Sequence, residues 1–178
     1  MIFTETKIQD LYIIEPEPLT DERGFFARSF CKEEFQKYGL ETDIVQCNIS
    51  YNKKKGTLRG MHYQVLPFEE AKIVSCTKGS IYDVVVDLRR DSQTYCQWVA
   101  NDLSDKNFKM MYIPKGCAHG FQTLVDEAMV YYQMMEFFNP ECARGVRWDD
   151  PIFKIEWSII QKIIISDKDS KYKFLITV

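Results

Sequence analysis

The sequence lacks an excess of basic residues, a leader-like segment and any long apolar run. Its formal net charge is −3 over 178 residues, whereas a nucleic-acid-binding surface normally shows a basic excess. The first residues do not place a basic stretch before an apolar one, and no later segment is long and apolar enough to span a bilayer. We therefore expect a cytoplasmic protein that binds neither nucleic acid nor a membrane.

The sequence also lacks a Cys-x-x-Cys pair, and its six cysteines are widely and irregularly spaced. A chain of this length fits one domain, residues 1–178, and folds without disulfides. The sequence contains no internal repeat, linker or low-complexity tract that would divide it. We expect a single domain with reduced, mostly buried thiols.

Short runs rich in β-branched and aromatic residues recur along the chain between turn signals such as Lys78-Gly79. Many short strands at this spacing are typical of a sandwich or barrel. A short helix is predicted at Lys32–Tyr38, where Gly39 provides a left-handed stop. The fold class is therefore all-β with a few short helices. The predicted strands are Leu11–Glu15, Ile44–Tyr51, Leu58–Gln64, Ala71–Thr77, Ile81–Leu88, Thr94–Ala100, Lys109–Ile113, Ala128–Phe138 and Lys162–Ile165.

Some of these strands have mixed faces. Side chains alternate between the two faces of a strand, so Val84 and Val86 fall on one face of the run that begins at Ile81, and Asp83 and Asp87 on the other. Such a polar face looks either at solvent or into a polar cavity. Alternation alone favours solvent.

Histidine is scarce, since His62 and His119 are the only two in the chain. An isolated histidine is more often structural than functional. The segment from Pro114 to His119 matches the Pro-x-Gly-x-x-His turn and strand of cupin barrels, whose metal site requires further histidines on an earlier strand. Two imidazoles exclude a three-histidine metal centre. We expect no metal, which argues against a metal dioxygenase.

The segment Leu58-Arg59-Gly60-Met61-His62-Tyr63-Gln64 resembles the Leu-Arg-Gly-x-His-x-Gln motif of the dTDP-4-dehydrorhamnose 3,5-epimerase family. The resemblance implies a cupin double-stranded β-helix, or jelly roll, that needs no cofactor and forms a homodimer with exchanged N-terminal segments. It implies an epimerase that inverts C3, C5 or both on a nucleotide-diphosphate-linked 4-keto-6-deoxy sugar, in deoxysugar biosynthesis for a surface polysaccharide or a glycosylated metabolite. Further matches, in chain order, are Asp21–Phe26, the strand with Lys72, Asp83–Arg89, Ile113–Phe121, Arg144-Gly145 with Trp148–Pro151, and Ser166–Asp169.

The resemblance also implies roles for individual residues. His62 is the expected base, Asp169 orients it, Tyr132 is the acid on the opposite ring face, and Lys72 lies near the C4 oxygen. Phe138 is expected to stack on the nucleobase. The remaining expected substrate contacts are Arg23, Gln46, Asn48, Arg59, His119 and Lys168.

These residue types suit the implied chemistry. A C–H bond beside a ketone is acidified because its anion delocalises onto oxygen as an enolate. A histidine can take the proton near neutral pH, a carboxylate can stabilise the imidazolium, and a lysine can offset the oxyanion charge. Inversion requires the proton to return on the other face, so a second group such as Tyr132 is needed.

Structural interpretations exist for each residue taken singly. Arg59 and Lys72 fit ordinary rim charges, Tyr132 fits a core aromatic residue, and Asp169 fits a helix cap. Their joint occurrence in the order of the family favours the site. The shared strand face predicted for Tyr132 and Phe138 then favours a cavity over solvent.

Three positions depart from the family pattern. Arg28 and Ala143 stand where the family usually carries Glu, and Cys47 where it carries Asp. Losing three carboxylates and gaining a guanidinium makes a site more attractive to anions, and Arg28 offers donors in place of acceptors. We therefore expect Arg28 to contact substrate, and recognition to differ from that of thymidine.

Two other functions remain open. A 3,4-ketoisomerase works on the same barrel through an enediol-type intermediate, but the segment around His62 and the presence of Tyr132 favour the epimerase. A sugar-nucleotide-binding cupin without turnover needs no acid–base pair. The sequence identifies neither the nucleotide nor the carbon that is inverted.

Overall fold

The computed structural model describes residues 1–175 and consists almost entirely of strands. Residues 176–178, the last three of the predicted domain, lie outside the described residues. The strands are β1 Ile2–Glu5, β2 Tyr12–Glu15, β3 Leu19–Asp21, β4 Gly24–Phe26, β5 Gln46–Asn52, β6 Thr57–Gln64, β7 Lys72–Lys78, β8 Ser80–Asp87, β9 Trp98–Ser104, β10 Met110–Ile113, β11 Cys117–Thr123, β12 Ala128–Met134, β13 Ala143–Gly145 and β14 Ile164–Ile165. The helices are α1 Lys32–Gln36 and α2 Asp167–Ser170.

The strands form two large sheets. In the first sheet the order is β1-β2-β10-β7-β12-β5, and in the second it is β13-β6-β11-β8-β9, with β14 beside β6. All pairs are antiparallel except β14 with β6, and β3 with β4 forms a separate hairpin. Chain neighbours such as β7 and β8 lie in different sheets, which is the crossing pattern of a jelly roll. The all-β jelly roll expected from the sequence is confirmed.

Alternating apolar residues form the core between the sheets. Val74 and Val130 from the first sheet pack with Ile81, Val85 and Phe121 from the second, and all five are buried. A second apolar cluster lies under α1, and a third lies under the C-terminal segment. Apolar side chains thus fill part of the space between the two sheets, and another part is left for a cavity.

Seven of the nine predicted strands agree with the structure to within two residues at each end. The run predicted from Thr94 begins at Trp98 instead. The hydroxyl groups of Ser92 and Thr94 donate hydrogen bonds to Asp87 at 2.6 and 2.7 Å, and Cys96 adopts a φ of 64°. These bonds hold the segment in turns. The strands Ile2–Glu5, Leu19–Asp21, Gly24–Phe26, Cys117–Thr123 and Ala143–Gly145 fall outside the predicted runs.

The strand predicted to reach Phe138 ends at Met134. Beyond Met134 the backbone N–H groups of Phe137 and Phe138 donate hydrogen bonds to side chains and not to a neighbouring strand. Phe137 donates to the carboxylate of Glu136 at 2.8 Å, and Phe138 donates to Gln46 Oε1 at 3.2 Å. The helix predicted to reach Tyr38 ends at Gln36, and Gly39 takes the predicted left-handed conformation with a φ of 71°.

The solvent interpretation of the polar face of β8 is wrong. Asp83 and Asp87 are completely buried. Asp87 accepts bonds from Arg89, Ser92 and Thr94, and Asp83 pairs with His119 (below). Burial is tolerated because each carboxylate has charged or polar partners.

The six cysteines are free thiols, as expected, but only Cys76 and Cys117 are buried and Cys47 is exposed. The prediction that most thiols are buried is therefore wrong. Within residues 1–175, none of the helices has the length and apolar character needed to cross a membrane.

Candidate active site

A cavity of about 550 Å³ lies between the two sheets. Its walls come from β5, β7 and β12 of the first sheet and from β6, β11 and β13 of the second, with α2 at the rim. This is the polar cavity that the shared placement of Tyr132 and Phe138 predicted. The lining residues are Gln46, Asn48, Ile49, Ser50, Tyr51, Arg59, His62, Tyr63, Gln64, Glu70, Lys72, His119, Phe121, Tyr132, Met134, Phe138, Ala143, Arg144, Lys168 and Tyr172.

His62 lies on β6 and is paired with a carboxylate from the far end of the chain. Its Nε2 is 2.8 Å from Oδ1 of Asp169, whose other oxygen accepts the backbone N–H of Gly60 at 3.2 Å. The His62 side chain is 43% exposed, whereas that of Asp169 is 7% exposed. Because a carboxylate accepts, Nε2 carries the proton and Nδ1 keeps a free lone pair.

The local structure around Asp169 supports this pair. Asp169 belongs to α2, whose N-cap Ser166 accepts the Asp169 backbone N–H at 3.1 Å. Burial alone would raise the pKa of the Asp169 carboxyl, but the hydrogen bond and charge of His62, with the Gly60 N–H, lower it below its ordinary value. Asp169 is therefore an ionised partner. The sequence also allowed Asp169 itself to be a helix cap. The residue that caps α2 is Ser166.

His119 lies opposite His62 on the neighbouring strand β11. Its Nε2 is 2.7 Å from Oδ1 of Asp83, and its side chain is 11% exposed. The second oxygen of Asp83 has no hydrogen-bond partner within residues 1–175. Two imidazole–carboxylate pairs thus stand side by side at the cavity wall.

Lys72 begins β7, on the opposite sheet. Its ammonium is hydrogen-bonded to Glu70, and both side chains are buried at the cavity. Tyr132 lies nearby on β12, which pairs with β7. Burial, followed by the negative charge of Glu70, raises the pKa of the Tyr132 phenol, and Arg59 opposes the shift. Tyr132 is therefore a protonated phenol at neutral pH.

The expected binding residues lie around the same cavity. Arg59 donates to Asn52 at 2.7 Å and reaches the cavity from β6. Gln46 links two of the others, because its amide nitrogen donates to Asn48 and its oxygen accepts from the backbone of Phe138. The Phe138 ring is exposed and forms an aromatic wall.

The charges of the lining indicate an anionic occupant. Lys168 joins Arg59, Lys72 and Arg144 as cations of the lining, and the carboxylate among the lining residues is Glu70. A low-dielectric cleft with an excess of cations concentrates anions. Within residues 1–175, His, Cys, Asp and Glu form no cluster of three that could hold a metal ion.

Two expected binding residues lie outside this cavity. Arg23 sits in the β3–β4 hairpin, pairs with Asp21 at 2.6 Å and has an 84% exposed side chain. Arg28 pairs with Glu34 at 2.6 Å and lines a separate hollow of about 330 Å³. A single chain therefore does not bring either guanidinium to the site.

Of the three departures from the family pattern, only Ala143 lines the cavity. Cys47 alternates with Gln46 and Asn48 along β5 and is exposed on the other face. Within one chain, the expected increase in anion attraction therefore rests on Ala143 alone.

The sequence reasoning gave no role to several lining residues, among them Glu70, Arg144 and Tyr172. The Tyr172 ring lies edge-on to His62 at 5.9 Å and packs over Gly145, where a Cβ would meet the ring at 2.3 Å. Glu70 gave a usable signal, because it lies only two residues before Lys72, which was already a candidate. Tyr172 gave none, since its position depends on the path of the chain after α2.

The arrangement provides groups for proton transfer on both sides of a bound molecule. His62 offers an accepting nitrogen from one sheet, and Tyr132 offers a phenolic proton from the other. A general acid and a general base in such positions can remove a proton from one face of a carbon and return one to the other.

Comparison with known proteins identifies the family of the chain. Residues 5–176 match the family model described as dTDP-4-dehydrorhamnose 3,5-epimerase. A relative of that name from Methanothermobacter thermautotrophicus is 43% identical over 173 residues, covering 96% of this chain and 92% of that protein.

Solved structures of similar proteins share the fold. The dTDP-4-dehydrorhamnose 3,5-epimerase of Elizabethkingia anophelis superposes with a TM-score of 0.95 at 38% identity, covering 98% of this chain and 96% of that one. The dTDP-6-deoxy-D-glucose-3,5-epimerase of Legionella pneumophila, solved with dTDP-4-keto-L-rhamnose, gives 0.91 at 38% identity, covering 97% and 92%.

Proposed function

The chain belongs to the dTDP-4-dehydrorhamnose 3,5-epimerase family, and we propose that it inverts C3, C5 or both on a dTDP-linked 4-keto-6-deoxy hexose through the residues of this cavity. The observation that carries the proposal is the placement of His62 and Tyr132 on opposite walls of one cationic cavity. The names of the relatives supply the substrate class. The reaction belongs to deoxysugar biosynthesis, and the cytoplasm expected from the sequence is part of the same proposal.

His62 acts as the base. Its Nδ1 takes the proton from the carbon beside the ketone, the C–H bond breaks, and the electron pair delocalises onto the C4 oxygen as an enolate. The imidazolium that results is stabilised by Asp169, which already accepts the Nε2 proton. This orientation makes one nitrogen the donor and the other the acceptor.

Lys72 stabilises the enolate. Its ammonium is fixed at the cavity by Glu70, and an ammonium carries three donors. Two therefore remain for the C4 oxygen as negative charge develops there. Preorganised donors of this kind are worth more in a buried site than in water.

Tyr132 completes the inversion. Its O–H bond breaks, a C–H bond forms on the opposite face of the sugar carbon, and the enolate electrons return to the carbonyl. Because its pKa is raised, the phenol is protonated when the enolate forms. Exchange with solvent later restores the phenol and the neutral imidazole.

The rest of the cavity binds the nucleotide. Arg59 and Lys168 supply cations for the diphosphate, and His119 is a further contact beside His62. Phe138 stacks on the nucleobase, since aromatic faces suit flat rings. Gln46 and Asn48, linked by a 3.2 Å hydrogen bond, offer amide donors and acceptors.

The proposal includes a homodimer with exchanged N-terminal segments, which would carry Arg23 and Arg28 toward the partner's cavity. Exposed apolar side chains on the edge strand β5 and on the β3–β4 hairpin support such an interface, among them Ile49, Tyr51 and Phe26. A mixture of His62→Ala and Arg23→Ala chains tests the exchange. If Arg23 acts across the dimer, mixed dimers contain one intact site and regain activity. If it acts within its own chain, no site is intact.

Deuterium exchange tests the function. The protein is incubated in deuterium oxide with dTDP-, CDP-, UDP- and GDP-linked 4-keto-6-deoxy sugars, and C3 and C5 are followed by NMR. We expect exchange and inversion with the dTDP sugar. Exchange with another nucleotide alone would support altered recognition, which the sequence predicts and Ala143 allows. No exchange with any of the four would contradict the proposal.

The same spectra separate the competing functions. A shifted carbonyl would indicate a 3,4-ketoisomerase, and binding without exchange would indicate a non-catalytic cupin. Tyr132→Phe is the informative variant, because it should retain exchange on one face and block inversion. Equal inversion by Tyr132→Phe and the unmodified protein would remove Tyr132 from the mechanism.

A further inference from the structure

Glu70 is an anomaly in this cavity. It precedes β7 by two residues and its carboxylate is buried. One oxygen is hydrogen-bonded to Lys72, and the other has no hydrogen-bond partner within residues 1–175. A buried carboxylate oxygen without a partner is costly and rare in folded proteins.

The charges around Glu70 make a buried carboxylate at this position still more unusual. Glu70 is the acidic residue among the described lining residues, which otherwise include four cationic side chains. A sugar nucleotide brings a negatively charged diphosphate, and the reaction adds an enolate. A carboxylate here repels both the substrate and the intermediate. Its presence needs a compensating role.

The geometry of the pair indicates such a role. Glu70 lies two residues before Lys72, and the hydrogen bond between their side chains shows that both reach the same side of the chain. A lysine ammonium on four methylene groups is flexible, and a carboxylate bonded to that ammonium limits its direction. Within the described part of the chain, the acceptor for the Lys72 ammonium is the carboxylate of Glu70.

We propose that Glu70 is a positioning residue that acts through Lys72, holding its ammonium toward the place where the C4 oxyanion develops. The inference rests on the proposed function for the identity of that oxyanion. Glu70 uses one N–H of the ammonium and leaves two for the enolate. It is not itself in contact with the reacting atoms.

The charge of Glu70 also reaches Tyr132. The charged and titratable side chains that line the cavity with Tyr132 are Tyr51, Arg59, His62, Tyr63, Glu70, Lys72, His119, Arg144, Lys168 and Tyr172. Of these, Glu70 raises the pKa of the phenol and Arg59 lowers it, with burial the larger influence. Removing the charge of Glu70 is therefore expected to lower the pKa of the Tyr132 phenol, which a loss of packing alone would not do.

Glu70→Gln tests the inference, because it keeps the shape and an acceptor but removes the charge. We expect kcat to fall about tenfold, as part of the roughly 10²–10³-fold effect of losing an oxyanion donor. KM should not rise, since a repulsive charge is gone. The alkaline limb of the pH profile should move to lower pH. Glu69→Gln is the matched control, because this neighbour lies outside the cavity lining, and it should leave all three quantities unchanged.

A double-mutant cycle shows whether Glu70 acts through Lys72. If it does, Glu70→Gln lowers kcat in the unmodified protein and has little further effect in Lys72→Met. Additive losses of kcat would overturn the inference. So would a Glu70→Gln protein with unchanged kcat and pH profile and a lower free energy of unfolding, which indicates a structural role only.

A measurement without substrate separates this inference from the proposed function. The ring carbons of ¹³C-labelled tyrosine are titrated by NMR, with Tyr132→Phe used for assignment. We expect the Tyr132 pKa to be lower in Glu70→Gln than in Glu69→Gln. A failure of deuterium exchange in the unmodified protein would contradict the proposed function alone. An unchanged Tyr132 titration would mean that Glu70 holds no charge at the cavity beside Lys72, which would contradict the inference whether or not exchange occurs.

Discussion

The two histidine–carboxylate pairs at the cavity wall are alike in geometry and different in access. His62 and His119 face each other across β6 and β11, and each places Nε2 within 2.8 Å of a carboxylate. The His62 side chain is 43% exposed and that of His119 is 11% exposed. Asp169 uses both oxygens, whereas one oxygen of Asp83 has no partner within residues 1–175.

This difference shows that the contact between imidazole and carboxylate does not by itself define a base. A base must reach its substrate through a free nitrogen, and its carboxylate must hold one tautomer. The pair of His62 and Asp169 meets both conditions. The pair of His119 and Asp83 is set deeper, and we expect it to support the cavity wall and to contact substrate.

The largest expected effect comes from replacing each histidine with alanine in turn. His62→Ala should lower deuterium exchange at every carbon by about 10³-fold or more, because a positioned base contributes roughly 10²–10⁴-fold. His119→Ala should cost about tenfold, mainly in KM, and should lower the free energy of unfolding by roughly 1–3 kcal/mol because Asp83 loses its partner.

Single-turnover exchange and chemical denaturation of both variants measure these effects. The unmodified protein and Tyr38→Phe, a change at an exposed aromatic residue outside the cavity lining, provide the controls. Full turnover by His62→Ala would show that the base is misassigned. Equal losses of kcat in the two histidine variants would remove the distinction between the pairs.

The second expected effect concerns the carboxylates. Asp169→Asn should lower kcat roughly 100-fold, because an amide can present its donor to Nε2 and favour the wrong tautomer. Asp83→Asn should change kcat less than tenfold. The kinetics of the two variants at saturating substrate check this, and a larger loss in Asp83→Asn would reverse the assignment of the pairs.

Most of the fold could be predicted from strand patterning, and the exceptions have local causes. The run predicted from Thr94 failed because hydroxyl bonds to Asp87 outcompete strand pairing before Trp98. The hairpin of β3 and β4 is short and exposed, so it carries no alternation of buried and exposed residues. The faces of β8 were misjudged because alternation cannot distinguish water from buried partners.

The residues of the site that lie in a motif could be predicted from the sequence. Those whose place depends on contacts formed by the fold could not. His62 lies within a recognisable segment, and its partner Asp169 was assigned by resemblance across 107 positions. Tyr172 carries no motif, and its place in the cavity depends on a ring seated on Gly145. Glu70 carries no motif either, and apart from its closeness to Lys72 in the sequence its proposed role follows from a buried oxygen without a partner. Whether Arg23 and Arg28 reach a site depends on a second chain, which a single sequence does not place.

The third prediction uses Asp87, the buried carboxylate on the same face of β8 as Asp83 but fully bonded. Burial alone would raise its pKa, but hydrogen bonds from Arg89, Ser92 and Thr94 lower it to about 2. A depressed carboxyl pKa stabilises the fold above the unfolded value near 4 and loses this contribution as the pH falls toward 2. Asp87→Asn should therefore lower the free energy of unfolding at pH 7 by on the order of 2 kcal/mol.

The difference between Asp87→Asn and the unmodified protein should shrink as the pH falls from about 4 to about 2. Urea denaturation across this range measures it, with the exposed Asp91→Asn as a matched control. A difference that stays constant with pH would indicate that the variant loses packing and not charge.

The smallest expected effect tests how the chain holds Asp169 beside His62. Ser166 caps α2 by accepting the Asp169 N–H at 3.1 Å, and loss of such a cap costs roughly 0.5–2 kcal/mol. Ser166→Ala should therefore lower the free energy of unfolding by about 1 kcal/mol and reduce kcat a fewfold without raising KM, because the carboxylate is less well placed. Ser166→Thr keeps the cap and should restore both quantities. If Ser166→Ala lost stability and kept its kcat, the cap would serve the fold alone, and Asp169 would be held by its bonds to His62 and Gly60.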